Sequence, residues 1–366
     1  MLNQKQYFVP LDGMRGIAAI PIIFAHMGWF PAGWLGLQYF FVLSGFLITR
    51  ILLREKEKNN FFPSWKRYFF RRGLRVFPLY FGYLLLLGII YFLTGVPKEF
   101  GEAWPMLFSF SYNLFRPETG FPISEYFVHF WSLCVEEQFY LVWPLLVLFL
   151  NRRYIGYFLF ALLFIAPLSR FLIAEWMKTT QADAAMIGDT VWMNTFCKLD
   201  GIAMGALIAL KGPENHFKKT GLLTILSAAL FLCCGLGVNY LSYGKFDSSY
   251  FTTFGFDRIG IFASQQVYSL TLANLIFFFL IISVISGKNK SLNRFLEHPM
   301  FVFSGKISFG IYIFHYPVIQ LLKDYGGIDM NSWLAPFAVI PLIYLIAGLS
   351  FFLYEKRFLD MKERFK

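Results

Sequence analysis

Apolar residues fill this chain in runs of about 20, separated by shorter polar stretches. A helix of that length just covers the hydrocarbon of a bilayer. The pattern predicts about ten such segments, at 11–29, 35–53, 76–95, 130–150, 154–173, 193–210, 221–241, 263–286, 299–321 and 333–354. Each must be helical, because lipid offers no water to satisfy backbone amides and carbonyls. The expected fold is all-α, a polytopic membrane helical bundle. No stretch rich in Pro, Gly or Ser divides the chain and no internal repeat is apparent, so a single membrane domain over 1–366 with no appended soluble domain is expected.

Composition agrees with the pattern. Of the 366 residues, 57% are hydrophobic, 21% aromatic and only 15% charged, against about 25% charged in ordinary soluble domains. The cations then orient the bundle. With both termini cytoplasmic, the inner side holds Lys5, the basic residues from Arg50 to Arg75, Arg152, Arg153, Lys211, Lys218, Lys219, Lys288, Lys290, Arg294 and the tail from Lys356. Only Lys98, Arg116, Lys178, Lys245, Arg258 and Lys323 fall outside, as the positive-inside rule requires. The net charge of +11 thus reflects topology and attraction to anionic membrane lipid, and implies no nucleic-acid partner. Cys134, Cys197, Cys233 and Cys234 all fall in predicted spans, with neither disulfide nor metal-ligand spacing. Charges interrupt the first span and no small-residue cleavage site follows it, so it is expected to stay in the mature protein rather than act as a signal peptide.

Three connections are long. Residues 54–75 mix basic and aromatic side chains and read as a helix lying in the membrane interface. Residues 96–129 and 242–262, external by the same topology, are rich in aromatic rings. Such rings can stack on sugars, although they also accumulate at any membrane interface.

The chemistry is carried by ionisable groups inside apolar segments, where each costs about 2.5–3.5 kcal/mol on insertion scales and marks a cavity or a pairing between helices. The first span holds Asp12, Arg15 and His26. Arg15 and His26 are eleven residues apart, three helical turns plus about 20°, so they share one face and lie roughly 16 Å apart along the axis. The fourth span enters from outside with Glu136 and Glu137, the sixth with Lys198 and Asp200, and the ninth carries His315 back to the outer half. A histidine near a carboxylate is an arrangement for proton abstraction. On the inner side, Arg71, Arg72 and Arg75 in "RRGLRVFP" can bind phosphate groups, or simply set topology. There is no P-loop, no HExxH and no dinucleotide fingerprint. Ser44 in "FVLSGFL" lacks the first glycine of a nucleophile elbow, and with Gly45 reads as a close-packing position.

"LDGMRGIAAIPIIFAH", "FFVLSGFLITR", "RRGLRVFPLY", "WSLCVEEQFYLVWP", "KLDGIAMGALIA" and "SFGIYIFHYPV" occur in order. Together they resemble the membrane-bound acyltransferase-3 family, the O-acetyltransferases of bacterial surface glycans, over nearly the whole chain. The resemblance implies an acyl-CoA donor, acetyl-CoA foremost, on the cytoplasmic side. It also implies an acceptor hydroxyl on a surface glycan or lipid-linked oligosaccharide outside, and residence in the bacterial cytoplasmic (inner) membrane. By the same resemblance His26 is the essential histidine, Arg15 its paired arginine and Glu136 the acidic residue of the tryptophan-serine-leucine motif. Arg72 and Arg75 are the basic pair before the third span, and His315 lies in the late histidine-proline motif.

Two positions depart from the family pattern. Gln38 stands where aspartate is common, and Lys198 where arginine is common, which weakens a bidentate clamp there. The expected reaction has His26 take the proton from a sugar hydroxyl as it attacks the thioester, with Glu136 orienting the imidazole and a nearby cation stabilising the oxyanion; Glu137 is a further catalytic candidate. A stepwise route through an acyl-histidine is equally open. A transporter using the buried charges for proton coupling is the rival reading, and predicts inverted repeats that the sequence does not display.

Overall fold

The computed structural model describes residues 7–57, 61–114, 122–212, 219–257, 260 and 264–361. Lys5, Lys58, Arg116, Lys218, Arg258 and the residues after Met361 lie outside this set, as do parts of the connections 54–75, 96–129 and 242–262. The described residues are mostly helical, with no strand among them. Seven helices are long and apolar enough to cross a membrane by length and composition, or eight if a pair bent by 74° at residues 193–196 counts as one span. Two of the ten expected segments take other forms. The first is α1 (Val9–His26), diluted by Asp12, Arg15, His26 and two prolines. The stretch 299–321 is divided into α13 (Pro299–Lys306) and α14 (Ser308–Asp324). Several spans carry an internal proline, a substitution that membrane helices tolerate because neighbours satisfy the freed carbonyls.

The chain forms two compact units, Met1–Leu53 with Phe149–Gly305, and Arg54–Leu148 with Lys306–Lys366. The first contains α1, most of α2 (Leu35–Lys56), then α6 (Arg152–Thr179), α7 (Ala184–Met193), α8 (Leu199–Lys211), α9 (Thr220–Tyr243), α11 (Gln265–Ile285) and α12 (Lys290–Leu296). A short helix, α10 (Tyr250–Thr253), sits in the 242–262 connection. Here α2 and α8 cross at two glycines. A Cβ on Gly45 would lie 2.0 Å from the Ile202 carbonyl oxygen, and one on Gly205 would lie 1.8 Å from that of Val42. Small residues at such a crossing let the backbones meet, the packing expected for Gly45. In the same unit α1 lies flush on α12 and α13. A Cβ on Gly13 would meet the Leu296 oxygen at 1.8 Å, and one on Gly16 that of Phe301 at 2.3 Å.

The second unit contains α3 (Phe61–Thr94), α4 (Phe100–Phe108), most of α5 (Trp131–Phe149), α14, α15 (Ala335–Ser350), a π-helical turn (Phe351–Glu355) and α16 (Lys356–Met361). The basic and aromatic stretch after α2 is not a separate interfacial helix. It forms the first turns of α3 and runs into the third span without a break. At 34 residues α3 is about 51 Å long, some 20 Å more than the hydrocarbon needs. Rings fill this unit's core: Tyr80 and Tyr83 meet Phe130 edge-on at 5.1 and 5.5 Å, each pair contributing about 0.5–1.5 kcal/mol beyond burial. Their hydroxyls donate to the Leu107 and Tyr126 carbonyls, so neither is buried unpaired. The aromatic 96–129 connection is partly core: Phe100, Tyr112 and Phe127 are buried, while Trp104 and Phe108 stay exposed.

Candidate functional site

The expected site residues fall into three groups and a separate histidine, His315. The first is α1 itself. Asp12 lies in its first turn and His26 in its last, each at the helix end whose partial charge suits an anion or a protonated imidazole. Asp12 is buried, accepts from the Tyr7 hydroxyl and pairs with Arg15 at 3.4 Å. One uninterrupted helix joins Arg15 to His26, so the shared face inferred from their spacing is realised, and His26 is half-buried.

The second group, in the same unit, surrounds α8. Asp200 and Arg170 are both wholly buried, with Nη2 of Arg170 2.6 Å from Oδ2 of Asp200. Arg170 also donates from Nε to the Cys197 carbonyl (2.8 Å) and from Nη1 to the Val267 carbonyl (2.9 Å) and the Thr271 hydroxyl (3.0 Å). Asp200 accepts in turn from Thr271 (2.6 Å) and the Gly201 amide (2.9 Å). The pair therefore ties α6, α8 and α11 together. Lys198, 1% exposed, places its ammonium 3.6 Å from the centre of the Trp192 ring, which itself meets Trp34 edge-on. Gln38, at the family's aspartate position, is 1% exposed, and its Nε2 meets no hydrogen-bond partner among the described residues.

The third group lies in the second unit. Arg72 reaches Glu137 at 3.4 Å and Glu136 at 3.5 Å, and its guanidinium stacks 3.7 Å above the Tyr140 ring. Tyr140 closes the cluster by donating to Glu136 at 2.8 Å. Arg71 and Arg75 share the same stretch of α3, and Arg75 interacts with the buried Glu355. Two carboxylates on one guanidinium hold one net negative charge, so the cluster can accept a proton or orient a cation. It also means that the charge of Arg72, expected to serve phosphate, is answered within the protein.

His315 is buried on α14, its Nδ1 2.8 Å from the Tyr312 carbonyl and 3.1 Å from that of Ile311. Both neighbours are acceptors, so Nδ1 carries the proton and Nε2 the lone pair. The ring of His129 lies 5.2 Å away, and Tyr312 bridges the two by donating to the His129 carbonyl at 2.7 Å while contacting Ser132 at 3.1 Å.

Sequence reasoning missed Arg170 and His129. The signal for Arg170 was present, since it is the only charge in the apolar run "YFLFALLFIAPLSRFLIA". Its partner could not be read, because Asp200 is 30 positions further on.

An all-helical chain whose spans carry this arginine, histidine and carboxylate set matches the acyltransferase-3 family, described as an acyltransferase domain, over residues 9–355, and the chain belongs to that family. It is 28% identical over 365 residues to the peptidoglycan O-acetyltransferase OatA of Listeria monocytogenes, covering 95% of this chain and 55% of that protein. It is 26% identical to a putative O-acetyltransferase of Staphylococcus aureus strain COL (97% and 58% covered) and to the O-acetyltransferase OatA of S. aureus strain NCTC 8325 (96% and 57%). The chain thus spans little more than half the length of the curated relatives it matches. No solved structure matches it.

Proposed function

We propose that this chain moves an acyl group, acetyl foremost, from acyl-CoA on the cytoplasmic side of the bacterial inner membrane to a hydroxyl of a glycan outside. His26 is the base that takes the hydroxyl proton, or the transient acyl carrier. Arg15, at the other end of the same helix, faces the arriving thioester. The reading rests above all on α1, which carries Arg15 and His26 on one face within a family match of 9–355. Glu136 and Glu137 are proposed as the catalytic carboxylates, with Arg72 and Tyr140 fixing their geometry. Arg71 and Arg75 are proposed to attract the donor's phosphates to the cytoplasmic face by their charge. Lys198 and His315 are each proposed to contact substrate within their own unit, and Asp12 and Asp200 to hold Arg15 and Arg170 in place. Peptidoglycan is the first acceptor to test, since one relative is named for it.

The purified chain in vesicles, given acetyl-CoA, should release free coenzyme A in step with acetyl appearing on a soluble glycan fragment. Release that ignores the acceptor, or glycan uptake without a covalent product, would replace transfer with hydrolysis or transport.

A further inference from the structure

Outside these groups the first unit has a groove of about 700 Å³ on α12 and the start of α13, lined by Lys290, Arg294, His298, Phe295, Met300 and Phe301. Its volume is that of a small-molecule site. Lys290 and Arg294 are one helical turn apart on α12, and His298 follows four positions later, so three groups able to donate to an anion line one groove. All three are exposed. His298 Nδ1 accepts from the Met300 amide at 3.4 Å, which leaves the proton on Nε2 for a ligand. Beside them Phe295 and Phe301 meet with ring centroids 5.0 Å apart, tilted by 57°, and Phe295 is 56% exposed. Glu297, the one acidic residue of this stretch, does not line the groove.

The position adds a second argument. Phe301, in the groove wall, meets α1 at Gly16 through its backbone, and Leu296 of α12 meets it at Gly13. The groove thus abuts the turn of α1 that carries Arg15, the end remote from His26. Cations beside the exposed Phe295 ring suit a ligand with phosphates and a flat base. Arg72, one of the three sequence candidates for phosphate, is meanwhile held by Glu136 and Glu137.

We infer that the groove formed by Lys290, Arg294, His298, Phe295 and Phe301 docks the nucleotide end of the acyl-CoA donor, phosphates on the cations and base against the rings, so that the acyl arm enters along α1. This rests on the function proposed above, and it names the residues that hold the donor's nucleotide end.

The test is equilibrium binding of coenzyme A to the full chain in neutral detergent, with and without phosphatidylglycerol. Lys290→Ala/Arg294→Ala should weaken coenzyme A binding at least tenfold and Phe295→Ser severalfold, while Lys356→Gln/Arg357→Gln, two exposed cations of α16, leaves it within twofold. In vesicles the same variants should raise KM for acetyl-CoA with kcat little changed. Unchanged coenzyme A binding in both groove variants overturns the proposal. So does phosphatidylglycerol binding that falls with Lys290 and Arg294 while coenzyme A binding does not, which makes the groove a lipid-headgroup site. If the unaltered chain binds no coenzyme A at all, the donor reading itself fails. Exposed positions are chosen because their loss should leave folding intact, which size-exclusion elution confirms.

Discussion

Replacing Asp200 with asparagine isolates the cost of leaving Arg170 buried without its counter-charge. At 2.6 Å and an effective dielectric of about 20, the attraction is about 6 kcal/mol, set against a desolvation cost of several kcal/mol for each ion. Both side chains are 0% exposed, so screening gives no discount. The guanidinium cannot swing away to water either, because Cys197, Val267 and Thr271 hold it from three directions. Asp200→Asn should therefore destabilise the chain by about 3–5 kcal/mol, the usual penalty for half of a buried pair. Arg170→Met/Asp200→Leu should be far milder than the two single changes summed, since it removes both charges. Reversible unfolding in mixed micelles of increasing SDS fraction measures these differences. A Asp200→Asn loss below about 1 kcal/mol would refute the reasoning, and would mean that water or lipid headgroups reach the pair.

Two more outcomes follow from the packing. Arg72→Gln leaves Glu136 and Glu137 without their common cation, so acyl transfer should fall by about 10- to 100-fold while Arg72→Lys recovers part of it; equal rates in both variants at matched abundance would count against a positioning role. Gly205→Leu puts a side chain where even a Cβ would sit 1.8 Å from the Val42 oxygen, so the folded chain should fail to accumulate in membranes, whereas Gly221→Leu, open to its surroundings, should accumulate normally.

Much of the fold was legible because lipid imposes one rule on every span: bury no unsatisfied backbone and offer an apolar surface about 20 residues long. The runs at 35–53, 76–95, 130–150, 154–173, 221–241, 263–286 and 333–354 meet that rule, and each appears as a long helix. What escaped were features that depend on partners distant in sequence. The break between α13 and α14 falls at the small and polar stretch Ser304–Ser308, a local signal outweighed by the apolar residues on both sides, and the 74° bend before α8 follows the short Asn194–Thr195 connection. The meeting of Arg72 with Glu136 is of the same kind: each residue stood out as a charge in an apolar setting, but 64 positions separate them. Spacing along one helix was readable, as Arg15 and His26 show; pairing between helices was not.

The most direct test of the account removes one imidazole. Surface glycan from cells producing the unaltered chain and from cells producing His26→Ala at equal membrane abundance should be compared by mass spectrometry, repeat by repeat. The account predicts acyl-bearing glycan only with His26 in place, the ester mass missing throughout the variant's glycan. Equal acylation in the two samples would contradict it, and would move the chemistry to another residue.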